Sequence, residues 1–162
     1  MYKLLISIAV LCVSAFSTAT YANNWDIKHI LVIHSYGPSY QWTADFQKGI
    51  DNAFNQSQVE VKLSIEYLDT KRINSPEYYD SLVDYFKAKY SGYHLDGVIV
   101  TDDNAANFLE SISSLIDRNT PVVAVGINDT STDMYAITDR ATVLHENDHI
   151  DINIELISQL RP

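Results

Sequence analysis

Three short aliphatic runs, Ile30-Leu31-Val32-Ile33, Gly97-Val98-Ile99-Val100 and Val122-Val123-Ala124-Val125, are continuous and do not alternate with polar residues. A strand apolar on both faces must be covered on both, which confines such a chain to a parallel sheet clad by helices. A fourth run, Val59 to Leu68, behaves differently. There Val59, Val61, Leu63, Ile65 and Tyr67 interleave with Glu60, Lys62, Ser64 and Glu66, so one face is expected to be wet and the strand to lie at a sheet edge. Strand and helix units alternate at a spacing of about 30 residues, as βαβ crossovers do. These patterns predict an α/β fold, a doubly wound parallel sheet with strand order beginning 2-1-3-4. Right-handed crossovers are then expected to put the first and second helices on one face and the third on the other, with the order reversing beside the first strand.

The helices carry their own signals. Thr43 is the expected cap of a helix whose Phe46, Ile50 and Phe54 recur every four residues, leaving Asp45, Lys48 and Asp51 for solvent. Ser75-Pro76 reads as a cap with proline at the first helical position, ahead of a buried stripe of Tyr79, Leu82, Phe86 and Tyr90. Ala105, Phe108, Leu109, Ile112, Leu115 and Ile116 form a third stripe, expected to stop at Asn119 before Pro121. From Ile150 to Leu160 the apolar residues fit a strand or a helix; the length and the acidic start at Glu146 and Asp148 favour helix.

Composition excludes several function classes. With 162 residues and 46% hydrophobic content the chain can bury a core without staples. A formal charge of -10 and a pI near 4.7 argue against nucleic-acid and anionic-membrane partners, which need clustered Lys and Arg. Residues 1–22 read as an export signal: Lys3, then apolar Leu4 to Val13, then Thr20-Tyr21-Ala22. The alternative is an uncleaved anchor, since Leu4 to Ala22 holds no charge; either reading places the body outside the cytoplasm, with membrane contact only through that segment. The one cysteine, Cys12, lies inside it, so the processed chain is expected to have no disulfide, cysteine nucleophile or thiolate metal site.

The strand ends hold the candidate chemistry, because in open α/β sheets ligands bind outside the strands' carboxyl ends. Those ends read His34-Ser35-Tyr36, Asp69-Thr70-Lys71-Arg72, Thr101-Asp102-Asp103-Asn104 and Gly126-Ile127-Asn128-Asp129. Tyr36, Tyr40 and Trp42 are placed to stack on a planar or sugar-like ligand. Lys71 and Arg72 would clamp a carboxylate, or else form surface pairs with residues such as Glu77. Asp103 is expected to cap the third helix, with a carboxylate left for a ligand amine or hydroxyl.

Other motifs point elsewhere. His145-Glu146-Asn147-Asp148-His149 matches the zinc-protease H-E-x-x-H, but Ala141-Thr142-Val143-Leu144 reads as a strand, which would put His145 at a strand end and not within a helix. Ser35 and five histidines invite a hydrolase reading, yet no G-x-S-x-G elbow or phosphate-cradling glycine loop occurs among five glycines. No cofactor is implied.

As a set, Ile33-His34-Ser35-Tyr36 with Pro38, Tyr40, Trp42 and Thr43, then Glu66 to Arg72, Asp102-Asp103-Asn104-Ala105 with Phe108, Pro121-Val122-Val123 and Gly126-Ile127-Asn128 resemble the ABC-transporter substrate-binding-protein-like family. The resemblance covers about Lys28 to Pro162 and rests on four separated motifs in order. It implies a type 1 periplasmic binding fold, found alone or as the outer sensor domain of histidine kinases and diguanylate cyclases. It also implies residues 23–145 as the first of two lobes and 146–162 as the crossover helix towards a second, making the chain a truncated form of a longer receptor. The expected function is periplasmic binding of a small molecule without catalysis, through Ser35, Tyr36, Tyr40, Trp42, Asp69, Lys71, Arg72, Asp102, Asp103, Asn104 and Asn128. Its implied partners are an ABC permease, or a fused or associated sensor kinase or diguanylate cyclase. The alternatives are an exported metal-dependent hydrolase using Asp102, Asp103 and a histidine, or a lone lobe serving as an interaction surface.

Overall fold

The computed structural model describes residues 27–146 and 150–160, apart from the side chain of Asp151. The export-signal reading of residues 1–22, and Asn147, Asp148 and His149 of the H-E-x-x-H match, lie outside the described residues.

Five parallel strands, β1 (Lys28–His34), β2 (Val61–Tyr67), β3 (Gly97–Thr101), β4 (Val122–Ile127) and β5 (Ala141–His145), form one sheet in the order β2-β1-β3-β4-β5. The doubly wound α/β fold expected from the apolar runs is therefore present, with β2 at an edge and the order reversing beside β1. His145 ends β5, as the strand-like Ala141 to Leu144 predicts.

Four helices follow the strands: α1 (Gln41–Asn55), α2 (Pro76–Tyr90), α3 (Asp103–Ser111) and α4 (Ile150–Leu160). Pairing of Leu31 with Val98 and of Val98 with Val122 puts Leu31, Ile33, Val98, Val100, Val122 and Ala124 on one face. Against that face pack Phe86 and Tyr90 of α2 with Phe108 and Leu109 of α3, and the Phe86 and Phe108 rings lie 5.0 Å apart. Phe86 is 1% exposed, so its replacement by alanine would cost about 3–5 kcal/mol.

Sharing of that face by α2 and α3 corrects the expectation that the first two helices lie together. The chain steps one way from β1 to β2, then the other way from β2 to β3 and from β3 to β4. A right-handed crossover changes face when its direction reverses, which puts α1 on the side opposite α2 and α3.

Local signals fare unevenly. Ser75 caps α2 as expected, accepting from the Tyr78 amide at 3.3 Å with Pro76 at the first position. Thr43 does not cap α1: the helix starts at Gln41 after Tyr40, and Thr43 is buried inside it. Thr43 and Gln47 form its buried line, whereas Phe46, Ile50 and Phe54 are only half-buried. Asp51, expected in solvent, is half-buried and accepts from the Gln47 amide at 2.7 Å. The third stripe is not one helix, because α3 ends at Ser111 and Ser113–Leu115 is a separate 3-10 turn, though Ile112 and Ile116 stay in the core. The tail is helical.

The nominally wet face of β2 carries a further correction. Glu66 is 9% exposed and accepts from the Tyr90 hydroxyl and the Lys89 ammonium, each at 2.6 Å. Both donors come from the last turn of α2, so the edge strand is tied to its helix by a charged network.

Candidate functional site

Three loops converge above the carboxyl ends of β1, β2 and β3. Ser35 holds them together from below: its hydroxyl donates to the Thr101 carbonyl at 2.8 Å and accepts from the Ala105 amide at 2.7 Å. Its carbonyl accepts from both the amide and the hydroxyl of Thr70, each at 2.9 Å. Ser35 is thus fully buried and committed to the scaffold, and is not among the residues that reach the surface. The side chain of Asn104 extends the same framework by donating to Thr70 Oγ1 at 3.0 Å.

Two aspartates flank this frame, and among the described residues they are the non-glycine positions with positive φ: Asp69 at 52° and Asp102 at 69°. Asp102 has ψ of 162°, a region nearly reserved for glycine, which stores on the order of 1–3 kcal/mol of strain. Asp102 is also the cap of α3, accepting from the Asn104 amide, which corrects the assignment of that role to Asp103. Asp103 instead accepts the backbone amides of Asn128 and Asp129 at 3.1 and 3.0 Å, fastening the loop after β4; Asn128 is exposed.

Above the frame, Tyr36, Gly37, Ser39, Tyr40, Asp69, Lys71 and Arg72 line an open depression of about 510 Å³. The Tyr36 hydroxyl donates to Asp102 Oδ2 at 2.6 Å. Burial, then the hydrogen bond to the Asp102 carboxylate, hold the Tyr36 phenol well above its ordinary pKa, so it stays a donor. The edge of Tyr36 meets Tyr40 with ring centroids 5.0 Å apart, and the Lys71 ammonium lies 4.4 Å from the Tyr36 ring centre. Arg72 pairs with Asp69 at 2.6 Å and not with Glu77. Among the described residues Lys71 forms no ion pair, and its charge rests instead on the Tyr36 and Tyr40 rings.

Gly37 is a close-approach position missed by sequence reasoning: a Cβ there would sit 2.8 Å from Asp69 Oδ1. Trp42, placed with the tyrosines by the sequence, touches Tyr36 at 6.1 Å between rings but turns its bulk onto Gly126 and Phe46. Gly126 has φ of +71° at a bulge between β4 and β5, and the indole lies where its Cβ would be.

The depression thus gathers Tyr36, Tyr40, Asp69, Lys71 and Arg72. Asp102 stands behind Tyr36, and Ser35, Asp103 and Asn104 are spent on the framework. Ser35 and His34 do not form a nucleophile and base, because the His34 ring nitrogens meet Thr101 Oγ1 at 2.9 Å and Gln47 Oε1 at 2.8 Å. Among the described residues no group of three or more His, Cys, Asp and Glu side chains could hold a metal ion.

Set against known proteins, the chain matches no family model, no curated protein and no solved structure.

Proposed function

We propose that the chain is an extracytoplasmic solute-binding or signal-sensing module of the ABC substrate-binding-protein-like kind, taking a small polar ligand at the carboxyl ends of its strands without catalysis. The observation that carries this reading is the Lys71 ammonium over the Tyr36 ring, beside the Asp69–Arg72 pair, in a depression built on a rigid frame. A cation and two tyrosines side by side match a ligand that has both a negative group and a flat or apolar body. An ABC permease, or a sensor kinase or diguanylate cyclase, is the partner such a module would serve.

Thermal melting of the full chain against separate amino acids, sugars and nucleobases tests the reading. A compound present at about a hundred times its Kd adds roughly 2.7 kcal/mol and raises Tm by several degrees. The shift should vanish in Lys71→Ala. If no compound moves Tm, or if Lys71→Ala responds as the unaltered chain does, the reading fails.

A further inference from the structure

On the α1 side of the sheet only part of the surface is covered. Ile99 of β3 and Val123 and Val125 of β4 floor an open, almost wholly apolar groove of about 570 Å³, walled by Phe46, Gly49 and Ala53 of α1. Beyond it Leu144 of β5 is 52% exposed. At Gly49 an added Cβ meets nothing within 4 Å, and with Ala53 one turn later the wall is low enough for a helix to come close.

The same chain carries a helix whose apolar side chains stand exposed. In α4 the side chains of Ile150, Ile154 and Ile157 on one stripe, and of Ile152, Leu156 and Leu160 on another, are all more than half exposed. Its eleven residues make a rod about 16 Å long, close to the length of the five- and six-residue strands β3 and β4.

We infer that the groove seats α4 of a second copy, whose own groove receives α4 of the first. Each chain brings one groove and one helix, so the exchange satisfies both surfaces and closes at two copies. Each aliphatic side chain of α4 offers roughly 100 Å² for burial; half of six such chains, the matching groove and the reciprocal site remove on the order of 1,200 Å², where stable interfaces begin. With a charge of -10 per chain, association strengthens as salt rises.

The test uses the full chain with Cys12→Ser as background. Ala53→Cys and Ile154→Cys, carrying different tags, are co-expressed and joined with a short bis-maleimide. The expected product is a mixed dimer bearing both tags, reduced at least about tenfold by Gly49→Glu, which puts an unpaired carboxylate into the groove while leaving the melting curve in place. Sedimentation of the unaltered chain, independent of any cysteine, should show a dimer that grows with salt. A monomer at high salt, a crosslink confined to one chain when both cysteines share it, or a mixed dimer indifferent to Gly49→Glu would each overturn the exchange.

Discussion

The Tyr36 hydroxyl and the Asp102 carboxylate are joined by a 2.6 Å hydrogen bond across the junction of β1 and β3. It holds an aspartate whose φ of 69° and ψ of 162° approach glycine-only territory, so the phenol restrains a strained turn as well as lining the depression. Tyr36→Phe should cost about 1–2 kcal/mol in urea unfolding, with the folded spectrum retained.

His34 gives a pH signature. Burial lowers its pKa from 6.5, outweighing the hydrogen bond it makes to the Gln47 carbonyl and the nearby Asp51, which raise it. Gln47 spends its amide on Asp51, so its carbonyl accepts from His34 Nε2–H and the Thr101 hydroxyl donates to Nδ1. The neutral ring therefore fits the network. The unfolded chain binds the proton more readily than the folded one, so stability is full above pH 6.5 and falls as pH drops below it. Melting between about pH 7 and 5 should show this slope, and His34→Gln should flatten it.

The Glu66 cluster separates a buried contact from an exposed one. Glu66→Ala removes the carboxylate that accepts from the buried Tyr90 phenol and should cost about 1–3 kcal/mol. Lys89→Met removes an ion pair whose lysine is 46% exposed and should cost under about 1 kcal/mol. Equal losses in the two variants would contradict this division.

Gly126→Ala should be costly for two reasons. Its φ of +71° disfavours any side chain, and the new Cβ would sit 2.8 Å from Trp42 Cζ2. We expect a loss of about 1–3 kcal/mol and a changed tryptophan emission, because the indole must move.

Sheet order was legible because continuous and alternating runs report burial on two faces or one. Helix faces follow from that same order once crossover direction is counted: the step from β1 to β2 runs opposite to the step from β2 to β3, so the expectation of α1 and α2 on one face overlooked that reversal. Thr43 and Asp103 show a second limit: Asp103 misses the cap position by one residue, held by Asp102, whereas Thr43 misses it by three, since the helix starts after Tyr40 with no side-chain cap at all. Glu66 shows a third, since a charged residue on an edge strand looks solvated until a tyrosine and a lysine from α2 arrive over it. For the site, Tyr36, Tyr40, Asp69, Lys71 and Arg72 follow from their places at strand ends. Ser35 and Asn104 occupy the same ends and yet face inward, a distinction made by backbone direction alone.

β5 closes its side of the sheet with Ala141–His145, and among the described residues no strand pairs with its outer border. Its main-chain amides and carbonyls there form a template about five residues long, without the lysine or proline that commonly blunts such a border. Misassembly of this chain at high concentration would therefore start as strand addition at β5.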